Sequence, residues 1–183
     1  MIPEKIHHHL CILFTIIVFL SCQKKNTETT KPQVEKLILI ADRFYNNKNF
    51  DSAFYYYNKA TFVCNPITDT ENYISTLNDI AGIQQNHADY VESESTLKEA
   101  IPFFKYIKNP AYKWTTYVTL SINYLNTYDY KNAILYNKKA LLPEVKPWQK
   151  LAAENNIAVI LMEQEKYDQS LQIFLPISTK KKS

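Results

Sequence analysis

Glycine is almost missing from this chain: Gly82 stands alone among 183 residues. Phosphate-cradling loops use several glycines to bring backbone N–H groups close to an anion, so a nucleotide site of that kind has nothing to build on. Soft metal ligands are nearly as scarce. Beyond residue 22 only His87 and Cys64 remain, and one imidazole with one thiol cannot make a structural zinc site. Catalysis lacks a starting point too. His87 has no Ser or Cys nucleophile motif beside it, and the acidic residues are scattered with no pair singled out. No enzyme activity, cofactor or metal is expected. A cationic face is the last absence. The net charge of +3 is concentrated at the ends, in Lys24, Lys25 and Lys31 and in Lys180, Lys181 and Lys182, while residues 33–179 are slightly acidic. Nucleic acid has no basic surface to meet.

What the chain does have is apolar material, 46% hydrophobic and 14% aromatic, enough to build a real core. The first stretch of it does not belong to the fold. "MIPEKIHHHLCILFTIIVFLSC" carries an uncharged run from Leu10 to Leu20. That is shorter than the roughly 20 residues a bilayer span needs and matches the apolar region of an export signal. Its end, "FLSC", resembles a bacterial lipobox with Ser21 as the small residue, although Phe19 stands where an aliphatic is usual. The resemblance implies cleavage after residue 21, lipidation of Cys22 and a lipid anchor in the cell envelope, facing the periplasm. A lipidated Cys22 leaves Cys64 without a disulfide partner; it reads as a small buried side chain. The histidines His7, His8 and His9 fall in the removed leader. Residues 22–33 then form a tether, of which "QKKNTETTK" has no apolar side chain.

The rest repeats. "NFDSAFYYYNKA" ends at Ala60, "DYVESESTLKEA" at Ala100 and "DYKNAILYNKKA" at Ala140, a spacing of forty, and "KYDQSLQIF" begins a fourth copy. In each, an aromatic (Phe50, Tyr90, Tyr130, Tyr167) precedes a small residue (Ala53, Ser93, Ala133, Ser170) by three. Upstream, Leu37-Ile40-Ala41-Phe44, Leu77-Ile80-Ala81-Gln84, Tyr117-Leu120-Ser121-Tyr124 and Glu154-Ile157-Ala158-Leu161 share helical spacing. Each unit is therefore a helical hairpin. Its two small residues lie twelve apart, as closely crossing helices require: Ala41/Ala53, Ala81/Ser93, Ser121/Ala133 and Ala158/Ser170.

These registers resemble the tetratricopeptide repeat, W-x2-L-G-x2-Y followed by A-x3-F, over residues 34–177. The departures are a period of about forty, falling to thirty-seven before Tyr167, where the family norm is about 34, and Ala or Ser for the first-helix glycine. The resemblance implies an all-α, right-handed superhelical α-solenoid of four hairpins with a basic tail at 178–183. Pro110 and Pro147 suit helix first turns. Pro102 is expected to end or kink the second helix of unit two, and Pro176 to shorten that of unit four by a third. In "FYYY", Tyr57 occupies the buried A-x3-F position. Tyr55 and Tyr56 point elsewhere, one toward the neighbouring unit and one partly to solvent.

Tetratricopeptide arrays resemble one another in binding peptides or proteins along a concave groove lined by the first helices. Carried onto this chain, that groove holds Asp42, Tyr45, Asn46, Asn78, Asp79, Gln85, Asn86, Thr115, Thr119, Asn126, Asn155 and Asn156. The carboxylate-binding clamp of chaperone-type members is absent, since the matching positions include Ile38, Asp42, Asp79, Thr115 and Thr119. Asn46, Asn86 and Asn126 recur at forty and have two readings: a ladder of ligand-binding amides or, as favoured here, helix terminators tolerant of left-handed backbone. The expected function is a lipid-anchored adaptor for a protein or peptide partner. The alternatives are a sensory module or truncated piece of a bacterial signalling protein of histidine-kinase or transcription-regulator type, and a glycan-uptake accessory lipoprotein. A fourth unit with no capping helix is expected to leave an apolar face open to self-association.

Overall fold

The computed structural model describes Thr30–Lys180, with side chains over residues 31–175. The expected export signal, the expected lipidation site at Cys22 and the first part of the expected tether lie outside the described residues, as do Lys181 and Lys182. Among the described residues, eight α-helices form four hairpins. They are α1 Thr30–Asn46 with α2 Phe50–Val63, α3 Thr70–Asn86 with α4 Tyr90–Ala100, α5 Pro110–Asn126 with α6 Tyr130–Ala140, and α7 Pro147–Glu163 with α8 Tyr167–Lys180. No strand occurs among the described residues, and no helix there is long and apolar enough to cross a membrane. From α2 onward consecutive helices pack, α1 meets α2 through the cluster of Ala41, Ala53 and Tyr57, and first helices also pack on one another, α3 on α5 and α5 on α7. The result is an all-α helical-repeat solenoid.

The crossings fall where the twelve-residue spacing puts them. Ala41, Ala53, Ala81, Ser93, Ser121, Ala133, Ala158 and Ser170 are all buried. Their serines do more than stay small. Ser93 Oγ donates to the Ala81 carbonyl at 3.0 Å, Ser121 Oγ to that of Ala133 at 2.7 Å, and Ser170 Oγ to that of Ala158 at 2.9 Å. Three of four crossings are thus pinned by a hydrogen bond in a water-free spot, where leaving either group unpaired carries a full desolvation penalty. Ala60, Ala100 and Ala140 are completely buried, so they recur because no larger side chain fits.

The long period is absorbed between hairpins. Six residues, 64–69 and 141–146, separate α2 from α3 and α6 from α7. Pro102 ends α4 as expected, and the chain continues as a 3₁₀ helix, Ile101–Tyr106, which buries Phe104 beside Tyr73, Ile74 and Leu77. Pro110 and Pro147 each open a helix, with Asn109 capping α5 by accepting the Ala111 N–H at 3.0 Å. Cys64 is buried, and burial with the neighbouring Asp69 pushes its thiol up to about 12, which keeps it protonated and unreactive.

Four expectations change. Pro176 does not shorten the last helix: α8 runs through it to Lys180 and equals α2 in length. The missing N–H costs one bond to the Gln172 carbonyl, and the helix proceeds on either side. At the other end α1 begins at Thr30, inside the stretch read as tether. Asn46, Asn86 and Asn126 do end their helices, but the left-handed residue comes two positions later, at Lys48, Ala88 and Tyr128, with Glu165 in the fourth unit. Each turn closes the same way. Asp89 N–H reaches the Gln84 carbonyl at 2.9 Å and Ala88 N–H the Gln85 carbonyl at 2.9 Å, and the other three turns repeat this paired motif. Finally, Tyr56 packs within its own hairpin, stacked on Phe44 with centroids 5.5 Å apart, while Tyr55 is exposed.

Candidate functional site

Three neighbours cover α3. Ile80 and Ile83 face Ala53 and Tyr57 of α2, Ala81 meets Ser93 of α4, and Asn78 and Gln85 face α5. At about 100° per residue, the strip left over runs Ser75, Asp79, Gly82, Asn86, all half-buried or exposed. The same register on α1 gives Glu35, Leu39, Asp42 and Asn46, and on α5 Thr115, Thr119, Ile122 and Asn126. These strips form the surface where the groove is expected.

The geometry divides the expected groove residues into two kinds. Some are ties between units, not free donors. Asn78 Nδ2 donates to the Tyr112 carbonyl at 3.4 Å while its Oδ1 accepts from Thr116 Oγ1 at 2.9 Å. Gln85 Nε2 donates to the Thr119 carbonyl at 3.0 Å and to Asn123 Oδ1 at 2.7 Å. The chain of bonds continues from Asn123 Nδ2 to Ser93 Oγ at 2.9 Å and so reaches the α3/α4 crossing. Asn156 Nδ2 leans on Asn137 Oδ1 at 3.4 Å. Thr115 and Thr119 spend their hydroxyl protons on the carbonyls of Ala111 and Thr115, and Asn126 Nδ2 goes to Ile122. The amides of Asn78, which is buried, and Gln85, which is half-buried, are thus spent on the neighbouring unit, as shielded polar groups generally are.

The other kind remains open. Asn46, Asn86 and Asn155 are exposed and make no side-chain hydrogen bond among the described residues. Tyr45 is 39% exposed and meets Phe50 edge-on at 5.4 Å. Asp42 accepts from the Tyr57 hydroxyl at 2.6 Å, a short charge-assisted bond. Tyr57 itself is buried, and that burial together with the Asp42 bond raises its phenol well above the ordinary value. Asp79 on α3 lies close enough to Asp42 of α1 for the two charges to interact, and it accepts no hydrogen bond among the described residues. Burial, and then the Asp42 charge, pushes its carboxyl up to about 7. Asp79 also raises the Tyr112 phenol, after burial and Glu71. Two carboxylates thus share one seam with no cation near enough to pair: the one salt bridge among the described residues is Lys98–Glu94, on α4.

Gly82 lies one turn from Asp79. Its φ is not positive, and a Cβ placed there meets nothing within 4 Å beyond its chain neighbours and the surrounding turns of its own helix backbone. Neither conformation nor packing calls for glycine at this point. The sequence reading used Gly82 only as an absence and missed it as a groove residue; its position 40 after Asp42 was the available signal.

Away from the groove, a cavity of about 260 Å³ opens where α2 and α4 begin and α3 ends, lined by Asp51, Phe54, Ile83, Gln84, His87, Asp89 and Glu92. Asp89 makes no capping bond there, unlike Asn49 and Asp129 at the corresponding helix starts. No three His, Cys, Asp or Glu side chains among the described residues gather to hold a metal.

No family model and no curated protein matches the chain. Solved structures do. The chain is similar to RapI in its apo form, at 14% identity and a TM-score of 0.72, covering 93% of this chain and 48% of that one. It is similar to YrrB, described as a TPR protein with an unusual peptide-binding site, at 16% identity and 0.58, covering 88% and 73%. A third is the TPR2AB domain of yeast Sti1 in complex with an HSP90 peptide, at 18% identity and 0.52, covering 79% and 62%. The forty-residue registers, the small-residue crossings and these structural likenesses together make the fold that of a tetratricopeptide repeat array.

Proposed function

We propose that this chain is a non-enzymatic adaptor that holds an extended segment of a partner protein along the open strip of α1, α3 and α5, and that a lipid on Cys22 keeps it at the bacterial envelope. One observation carries the binding part. Within a strip where most polar groups are satisfied, the seam between α1 and α3 keeps two carboxylates without a cation, two free amides and an exposed tyrosine. Carboxylates without a countercharge beside free amides are what an incoming segment with complementary donors would satisfy. YrrB and the Sti1 domain, of the same fold, have a peptide site and a peptide complex in their descriptions, which adds support. The anchor rests on "FLSC" and on the resemblance it carries.

Photocrosslinkers placed in the full-length protein in intact cells test the binding part. Probes at Asn86 and Asn126, on the strip, are compared with one at Ser95, exposed on α4. A discrete adduct at the strip positions and none at Ser95 is expected. Adducts everywhere, or nowhere, would remove the groove reading. Metabolic labelling with a fatty acid analogue, lost in Cys22→Ala, checks the anchor.

A further inference from the structure

The groove is not uniform in charge, and its two seams differ in kind. Along the strips of α1 and α3 the ionisable residues are Glu35, Asp42 and Asp79, and no lysine or arginine occupies a strip position on either helix. We infer that the partner segment is basic, and that one of its lysine or arginine side chains lies between Asp42 and Asp79 with its stem against the bare backbone at Gly82. This inference rests on the groove reading and narrows it to one chemistry.

Two independent features converge on that spot. The first is charge: two like-charged carboxylates from adjacent units are held in one seam, a costly arrangement that a single cation between them relieves. The Tyr57 hydroxyl fixes Asp42 in place at 2.6 Å, so one wall of the cation site is already ordered. The Asp79 carboxyl, unbonded and pushed up by burial and by Asp42, lacks the countercharge that would complete it. The second feature is space. The chain's one glycine occupies the middle of α3, where alanine would strengthen the helix and would touch nothing. A glycine in such a place lets a ligand approach the backbone closely. Asp42 and Gly82 hold the same register forty residues apart, so hollow and charge lie in adjacent units of one groove.

The test uses the full chain in mild detergent and fluorescent decapeptides that alternate serine with lysine, with glutamine or with glutamate, followed by anisotropy. The lysine peptide should bind at least about tenfold more tightly than the other two, and Asp42→Asn and Asp79→Asn should each remove most of that advantage. Glu92→Gln, outside the groove, should leave it intact. Gly82→Ala guards against an unfolding artefact, because it should raise the melting temperature while weakening the lysine peptide. Equal binding of all three peptides, or a Glu92→Gln loss as large as that of Asp42→Asn, overturns the inference, since attraction would then be diffuse or absent. If the strip crosslinks of the previous section persist while the lysine peptide fails, the groove stands and its basic occupant falls. If light scattering shows copies associating, and both Asp42→Asn and replacement of Lys180, Lys181 and Lys182 by glutamine separate them, the occupant is the tail of a second copy and the inference of a basic partner falls.

Discussion

Two seams of this molecule occupy equivalent places forty residues apart and behave in opposite ways. Between α3 and α5, Asn78 and Gln85 reach across and bond to Tyr112, Thr116, Thr119 and Asn123. Between α1 and α3 the same positions carry Ile38 and Tyr45, and the facing pair Gly82/Thr119 becomes Asp42/Asp79. The repeat supplies a first helix of the same length, seventeen residues, in each case. What differs is whether the polar groups of a seam are spent on the neighbouring unit or left facing the groove. A solenoid gains stability from nearest-neighbour interfaces, so a seam that withholds its polar groups gives up some of that stability and keeps the groups available for a ligand.

The largest break in this comparison comes from Gln85→Leu. It removes two bonds of the α3/α5 seam and strands the side-chain Oδ1 of the buried Asn123, so a loss of about 1–3 kcal/mol is expected in urea denaturation. Substituting Tyr45 by Leu at the equivalent place should cost clearly less, because the ring is already 39% exposed. Comparable losses would show that the seams do not differ.

The second prediction concerns pH. Asp79 holds a folded-state value of about 7, above its ordinary 3.8. The folded protein therefore binds the proton more tightly than the unfolded chain, and the stabilisation this provides is complete below about pH 4 and lost as pH rises through 7. Asp79→Asn mimics the protonated form. It should stabilise the protein at pH 8 by on the order of 1 kcal/mol, after allowance for the water the groove admits, and change little at pH 4. Thermal melts at the two pH values check this. Thr119→Asp should transplant part of the same burden to the second seam.

The smallest effects sharpen a contrast within one hairpin. Gly82 is glycine where a helix interior prefers alanine, and six residues later Ala88 is alanine where φ is 62° and the left-handed turn prefers glycine. Gly82→Ala should raise stability by about 0.5–1 kcal/mol. Ala88→Gly should raise it by a few tenths up to about 1 kcal/mol, as the steric penalty of a Cβ in that conformation disappears. If only the second variant is stabilised, Gly82 answers to something in the helix itself, and its place in the groove loses its argument.

Much of the fold was legible because it rests on periodic, local chemistry. The forty-residue registers, the alanines at 60, 100 and 140, and the prolines opening α5 and α7 each report a steric rule that acts along the chain. The turns were harder. Sequence placed the left-handed residue at the asparagines, whereas the paired carbonyl bonds put it two residues on, at Lys48, Ala88, Tyr128 and Glu165. No side-chain preference marks these, since the backbone closes the turn by itself. Likewise Pro176 reads as a stop, yet α8 continues through it.

The groove was legible as a set of helix faces and not as a set of roles. A face is a matter of angular spacing, which Asp42, Asn78, Gln85 and Asn126 all display in one dimension. Whether an amide is free depends on the distance to the next unit, and Asn78 lies about 80° nearer to α5 than Asn86 does, at about 100° per residue. By itself the sequence determined the hairpin, its repetition and its small-residue crossings, because helix periodicity and side-chain volume are properties of neighbouring residues. Only the tertiary structure decided that Gln85 is a tie, that Asp42 and Asp79 meet, and that Gly82 borders empty space. Each of those depends on contact between units about forty residues apart, where burial and charge act through distance in space and leave no periodic trace along the chain.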